Sequence, residues 1–256
     1  GGFSDEGICL LATSIGCYVG GCEEDANARR NAVCLSYNTS GAQQWKQNFN
    51  GVGDNNDNIR GICVDNNNNV YAAGYSVTKG ENRDISVVKF SSSGSFLCEY
   101  DEHGSSTGSV DEAQAIVVDN SGNPVVAGFT KNSGESNDIT YFKMSNTVCD
   151  TVWHQIKDGG YFGSDKIYDM TQDAAGNTYI TGRIDANPSS LNNDDCYTAK
   201  IDANGNIAWE MTYNSGGMNE DRGIEIRVGN ANNVYVTGRS FNGTDYDVFL
   251  IKYNNA

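Results

Sequence analysis

The sequence predicts an all-β chain, a five-bladed β-propeller of four-stranded antiparallel blades whose last blade lacks its outer strand. Three observations predict it. One pattern occurs five times, opening at Asp5, Asp57, Asp111, Asp165 and Asp221, a period of 52 to 56 residues. Within each copy the apolar spacing is two rather than 3.6. No helical stretch separates one copy from the next.

The elements follow in order within each copy. An aspartate stands five residues before an apolar strand position: Asp5 and Leu10, Asp57 and Ile62, Asp111 and Ile116, Asp165 and Met170, Asp221 and Ile226. A Gly/Asn turn, such as Asn120-Ser121-Gly122-Asn123 or Ala174-Ala175-Gly176-Asn177, supplies the positive-φ residues of a tight hairpin. A Tyr-rich strand ending in glycine comes next, as in Val70 to Gly74 and Val234 to Gly238. A β-branched or aromatic run then links an aspartate to a lysine, from Asp84 to Lys89, Asp138 to Lys143, Asp195 to Lys200 and Asp247 to Lys252. A fourth strand, often opened by tryptophan (Trp45, Trp153, Trp209), completes the unit. Four short strands per repeat make a blade, and stacking on both sides explains runs such as Ile85 to Val88 that are nearly all apolar. The blades fall at about 1-52, 53-107, 108-161, 162-217 and 218-256, one domain.

These residues resemble the β-propeller repeat of secreted bacterial proteins known as SBBP repeats, and distantly NHL-type blades. The likeness is carried by D-x-A-x-x-I-x-x-D-x-x-G-N-x-Y-x-x-G, then D-x4-K-Y/F and G-x3-W, over roughly residues 5 to 253. The resemblance implies that the first strand of each copy lines a central channel. It implies no chemistry, because the family shares a scaffold rather than a reaction. The fifth copy stops at Tyr253-Asn254-Asn255-Ala256, where its outer strand is due. A three-stranded blade, a longer chain and a strand donated by another molecule all remain open.

Composition narrows the partners. A formal net charge of −16, from 33 acidic and 17 basic side chains, repels nucleic acid and anionic lipid. No apolar run reaches membrane-spanning length. Eight cysteines, few lysines and two glycosylation acceptors, at Asn38 and Asn242, favour an extracellular or cell-surface setting. The opening at Gly1, without methionine or a signal-like stretch, is expected of a mature or trimmed product. Carrying the hairpin register of the second copy over to the first pairs Cys9 with Cys22 and Cys17 with Cys34 as disulfides. Cys98 stands where other copies place tryptophan, and a bridge to Cys149 is a further option.

No metal or other cofactor is expected. The cysteines form no C-x-x-C, His103 and His154 are isolated from them, and the Asn/Asp-rich stretches lack the completion of a calcium loop. The repeated aspartates are read as acceptors for turn N–H groups or partners of the lysines. Where the inner strand departs from apolar, Asp169, Glu225 and Arg227 are candidate polar residues of the channel, with a Glu225–Arg227 ion pair as the plainer reading. Hydrolase, nucleotide and dinucleotide motifs are absent, so the expectation is a protein that is not an enzyme. The function expected is an extracellular structural or assembly module, a subunit of an appendage, filament or coat that associates through blade edges or strand addition with copies of itself or other extracellular proteins. The alternative is a glycan-binding lectin whose shallow sites use Phe49, Tyr100, Tyr161, Phe162 and Tyr213, although packing against the next blade also explains those rings.

Overall fold

The computed structural model describes residues 4–51, 53, 56–77, 82–104, 108–131, 136–160, 163–185, 194–216 and 220–254. Among these residues, alternating apolar positions and Asp/Gly/Asn turns fold into nineteen strands and one 3-10 turn, Asn230–Asn232. Sheet I is β1 (Glu6–Thr13), β2 (Gly16–Glu24), β3 (Arg30–Asn38) and β4 (Gln43–Phe49). Sheet II is β5 (Asn58–Val64), β6 (Val70–Val77), β7 (Arg83–Phe90) and β8 (Phe96–Glu102). Sheet III is β9 (Glu112–Val118), β10 (Pro124–Lys131), β11 (Asn137–Met144) and β12 (Thr151–Lys157). Sheet IV is β13 (Lys166–Gln172), β14 (Thr178–Asp185), β15 (Asp194–Ile201) and β16 (Ile207–Tyr213). Sheet V has three strands, β17 (Asp221–Val228), β18 (Val234–Phe241) and β19 (Tyr246–Tyr253). In every sheet the strands pair antiparallel in chain order. Among the described residues sheet V has no fourth strand, as the sequence predicts.

The first strands of successive sheets touch one another, so they form the inner wall of the stack. Each first strand carries a bulge three residues after its aspartate, where Ile8, Arg60, Gln114, Tyr168 and Ile224 interrupt the register. Bulges of this kind bend a strand and sharpen its twist. The core lies between sheets: Tyr71, Ile85 and Val87 of sheet II pack with Phe142 and Met144 of sheet III, and Tyr141 packs with Ile180 and Tyr197 of sheet IV. All eight residues of β6 are buried, which requires cover on both faces.

The repeated aspartates at the head of each inner strand are clasps. Asp57, Asp111, Asp165 and Asp221 have no exposed surface. Asp57 accepts the backbone N–H of Gly51 at 2.9 Å, just past the outer strand of sheet I, and that of Val77 at 2.8 Å in its own sheet. Asp111 accepts from Gly104 (2.8 Å) and Lys131 (2.6 Å), and from the hydroxyls of Ser109 and Thr130. Asp165 accepts from Gly159 and Asp185, each at 2.6 Å. The aspartate's own N–H donates backwards to the third strand of the preceding sheet, from Asp57 to Arg30 O, Asp111 to Arg83 O and Asp165 to Asn137 O. One aspartate, through its carboxylate and its own N–H, thus joins three strands of two sheets.

Hairpin aspartates do a different job. Asp65, Asp119 and Asp173 each accept the N–H groups two and four residues ahead, closing the turns that the Gly/Asn punctuation predicts. Asn38 and Asn242, the two glycosylation acceptors, occupy comparable turns: Asn38 accepts from Ser40 and Ala42, and Asn242 from Thr244 and Asp245.

Two expectations are corrected. The five sheets do not close a ring: among the described residues no packing like that between successive sheets joins sheet I to sheet V. The cysteine pairing also differs. The first hairpin turns between Thr13 and Gly16, which sets Cys9 opposite Gly20 and Cys22 opposite Glu6; on the other side Cys17 faces Tyr37 and Cys34 faces Gly20. Cys9, Cys17, Cys22 and Cys34 are therefore free thiols. Burial pushes the Cys9 thiol up to about 11 and the Cys34 thiol up to about 12, so both behave as small apolar groups. The disulfide that forms is Cys98–Cys149, with Cα atoms 6.3 Å apart, and it joins sheet II to sheet III.

The bridge replaces a contact made elsewhere by tryptophan. Trp45 and Trp153 hold the same register position as Cys98 in their outer strands. The Trp45 indole N–H donates to Ser92 O of the next sheet's last turn, and that of Trp153 to Ala203 O. Each ring lies on a positive-φ glycine, Gly94 or Gly205, whose Cβ would come within 2.7–2.8 Å of the indole. Cys149 holds the matching positive-φ position with φ 50°. A side chain there leaves no room for an indole, and a small partner that can bond to it fits.

The clasp and the bridge can each be tested by removal. Asp111→Asn turns one acceptor into a donor facing two donors, and we expect a loss of about 3–5 kcal/mol in urea unfolding. Asp221→Asn, which disturbs fewer hydrogen bonds, should cost clearly less in the same measurement. Non-reducing peptide mapping should recover the Cys98–Cys149 peptide pair with the first-sheet thiols alkylatable, and reduction should lower stability by about 2–4 kcal/mol. A recovered Cys9–Cys22 peptide would overturn the register of the first hairpin.

Candidate functional site

In a stack of repeats, chemistry is sought where the repeat is broken. Among the described residues three such places stand out: the inner wall, the rim between sheets III and IV, and the two outermost sheet faces.

On the inner wall, Asp169 of β13 and Glu225 and Arg227 of β17 come together. Arg227 pairs with Asp169 across the junction of sheets IV and V, and Ile226 N–H donates to the same carboxylate oxygen at 2.9 Å. Glu225 stays 3.9 Å from Arg227, so the main partner is Asp169 rather than the Glu225 expected from the sequence. Burial raises the Asp169 pKa, and the Ile226 N–H and Arg227 only partly offset it. The arrangement clamps two sheets and leaves Glu225 and Arg227 open to solvent.

At the rim, Lys157 occupies the place that Phe49, Glu102 and Tyr213 hold in the other outer strands. A lysine fills less of the gap than a ring. A cavity of about 360 Å³ opens there, lined by Lys157, Gly159, Asp185, Tyr197, Glu210 and Thr212. Glu210 accepts from Lys157 at 3.1 Å and from the Tyr197 hydroxyl at 2.7 Å. Burial disfavours its charge, but those two donors prevail and hold its pKa below the ordinary value. Next to Gly159 of that lining, Asp138, Asp158 and Asp165 bring one carboxylate oxygen each within 4.8 Å of the others, a spacing that could hold a cation. Asp165 already accepts two backbone N–H groups there, which gives it the clasp role. Burial, reinforced by Asp138 and Asp158, pushes its pKa up to about 7.

The aromatic platforms expected for a lectin are spent on packing. Phe49 lies against the core between sheets I and II, Tyr100 packs at a tilt against Phe142, and Tyr213 against Phe249, all across sheet junctions. Phe49 and Tyr213 share a register position, whereas Tyr100 stands two residues earlier in its strand, so the three do not form a repeated site. Tyr161 and Phe162 lie outside the described residues.

The outermost faces break the repeat most. Val248 and Leu250 of β19 are 84% and 70% exposed. Their counterparts at the first position, Ile85, Ile139 and Cys196, are fully buried, as are Val87, Tyr141 and Thr198 at the second. Those counterparts face the following sheet. At the other end Leu10 is 69% exposed, while its equivalents Ile62, Ile116, Met170 and Ile226 are buried. Beside Leu10 a hollow of about 240 Å³ opens over Val19, Val33, Leu35 and Lys46. The sequence patterns all five sheets alike, so pattern alone could not reveal this exposure.

No family model matches the chain, and no curated protein matches it. Solved structures do share the fold. A polysaccharide lyase of family PL25, an ulvan lyase bound to -[GlcA(1-4)Rha3S]-, aligns over 98% of this chain and 72% of its own, with 10% identity and a TM-score of 0.60. Quinohemoprotein alcohol dehydrogenase from Comamonas testosteroni aligns over 93% and 40%, with 12% identity and a TM-score of 0.56. A Synechocystis apocarotenoid oxygenase aligns over 94% and 57%, with 6% identity and the same TM-score. This chain thus spans 40% to 72% of these structures. They correct the expectation of a protein that is not an enzyme, because the scaffold is one that enzymes of several classes carry. At such identities the likeness establishes the all-β, propeller-like architecture and no particular activity.

The raised carboxyl groups give a pH dependence. Asp165 at about 7, from an ordinary 3.8, and Asp195 at about 6 make the folded chain keep protons that the unfolded chain has released. Their contribution to stability is full below about pH 4 and is lost as pH rises through about 7. Urea midpoints from about pH 4.5 to about pH 7.5 should show this fall superimposed on the other titrations, and Asp165→Asn should flatten it. A slope unchanged in that variant would refute the assignment.

Proposed function

We propose that this chain is an extracellular assembly module in which sheets built as propeller blades associate end to end between copies. The observation that carries the reading is the exposure of Val248 and Leu250 at positions buried in every preceding sheet where the counterpart packs on a following one. Two large apolar side chains this exposed, two residues apart on an outermost strand and ringed by polar neighbours such as Arg239 and Thr237, mark an interaction surface. The two ends are complementary: sheet V offers the face that elsewhere packs on a following sheet, and sheet I offers the face that elsewhere packs on a preceding one. A second copy can supply the missing neighbour at either end, and the contact is heterologous, from head to tail. The unpaired edge of β19 adds a place where a strand can join sheet V.

An extracellular setting is supported by the Cys98–Cys149 disulfide, by turn positions for both glycosylation acceptors and by the acidic surface. No helix among the described residues is long and apolar enough to cross a membrane. Nucleic acid is disfavoured as a partner by the charge of −16. The repeated-site lectin loses its best support, since Phe49, Tyr100 and Tyr213 are engaged between sheets.

Sedimentation velocity over a broad range of concentration tests the reading. We expect association that strengthens with salt, as apolar contacts do, and that Val248→Asp with Leu250→Asp abolishes without lowering the melting temperature. A monomer at every concentration would refute it.

A further inference from the structure

We infer that the cavity between sheets I and II, at the hairpin end opposite the clasps, binds a primary alkylammonium, as a free amine or as the lysine side chain of a partner. The cavity has a volume of about 410 Å³, and Tyr18, Ser36, Tyr37, Gln44, Trp45 and Ser92 are among the residues that line it.

The cavity lies where the repeat loses a lysine. Ser36 stands opposite Tyr18 on β2 and Trp45 on β4. At the same register position the other four sheets carry Lys89, Lys143, Lys200 and Lys252. Three of these hold the ammonium near the tyrosine that corresponds to Tyr18. Lys89 lies 5.0 Å from the centre of the Tyr71 ring, Lys200 5.6 Å from that of Tyr179 and Lys252 5.9 Å from that of Tyr235. Two of the four reach the last turn of the next sheet, where Lys89 donates to Asn146 O and Lys143 to Ala203 O at 3.4 Å. The fold itself therefore shows what this place accepts.

In sheet I the groups that receive the ammonium are kept. Tyr18 supplies the ring. Ser92 corresponds to Asn146 and Ala203, each being the second residue of its turn. Its carbonyl accepts the Trp45 indole N–H at 3.1 Å. A carbonyl oxygen has two lone pairs, and Ala203 O shows both in use, with the Trp153 indole at 3.2 Å and the Lys143 ammonium on one atom. Serine is too short to reach that carbonyl from β3. An ammonium is attracted by aromatic faces as well as by carbonyl oxygens, whereas water gains little from the rings. No lysine or arginine lines the cavity to repel a cationic guest, and the net charge of −16 draws cations to the chain. The hairpin aspartate that pairs with Lys143 is replaced by Thr13 in the first copy, so rings and carbonyls alone hold the guest and the affinity is millimolar.

The three tryptophans give one indole N–H signal each, so NMR titration of the purified chain with butylammonium chloride, with the amide of acetyl-Gly-Lys-Gly and with butanol tests the inference. We expect butylammonium to shift the Trp45 signal saturably, and less strongly as sodium chloride is raised. The Trp153 signal, whose carbonyl already takes Lys143, should stay in place, and butanol should have no effect. A matching shift with the peptide would identify a partner's lysine as the guest, and a silent peptide a free amine. Ser36→Lys supplies a tethered ammonium and should weaken butylammonium binding about tenfold. Should that variant fail to fold, Lys143→Ser opens the same place between sheets III and IV, and butylammonium should then shift the Trp153 signal. Absence of a saturable Trp45 shift, an equal response to butanol, unchanged affinity in Ser36→Lys or a silent Trp153 in Lys143→Ser would overturn the site.

Discussion

A buried carboxylate that accepts backbone N–H groups from two sheets at once is what the rest of this structure depends on. Sheets stacked face to face have abundant apolar contact but little to fix how one is rotated against the next, because dispersion and the hydrophobic effect are nearly non-directional. The clasp supplies the direction. Asp111 ties the chain leaving sheet II to the end of β10, and its own N–H returns to β7. A buried charge is tolerated there because donors surround it, and removing either side leaves orphaned groups in a low-dielectric interior. At both ends only half of the device is present. Asp5 keeps the bond to its own sheet, from Glu24 N–H at 3.2 Å, and Asp221 keeps the bond to the preceding one, from Ser215 at 2.8 Å. One oxygen of Asp221 is buried without a partner, and Phe241 N–H turns to Glu220 O instead.

A second joint shows how the repeats diverge without losing the fold. The outer strand of one sheet must be pinned to the last turn of the next. Junctions I–II and III–IV use an indole on a glycine; junction II–III uses two cysteines in the same two positions. Neither position can change alone. A Cβ on Gly94 would run into Trp45, and a tryptophan at position 98 would run into the side chain of Cys149. The two solutions are alternatives at one structural site, which is why Cys98 and the tryptophans exclude each other in sequence.

Much of this is legible in the sequence, and what is not has a physical reason. Strand order, hairpin aspartates, the three-stranded last sheet and the packing of Phe49, Tyr100 and Tyr213 all follow from local pattern and turn chemistry. The cysteine pairing does not, because register depends on turn length, and the Thr13–Gly16 turn is tighter than those of the other copies. Ring closure is illegible for another reason. Val248 and Leu250 carry the same apolar signature as buried Ile85 and Val87, and a residue's pattern does not say whether a neighbour is present. The ion pairs at the strand ends escape a reading of the sequence because their members, Arg60 with Glu112 and Arg183 and Arg222 with Asp194, are scattered through the repeats and converge only when the sheets are side by side.

That convergence follows from the clasp. The residue after each clasp aspartate begins or continues an inner strand, so its backbone is held in the sheet. Yet the side chains there are Glu6, Asn58, Glu112, Lys166 and Arg222, which run from acidic through neutral to basic. The aspartate is the same in all five copies, and its neighbour one residue on varies in size and changes sign of charge. An invariant frame beside a freely varying side chain separates what holds the sheets from what they present, and side chains on rigid strand ends hold their geometry better than side chains on loops.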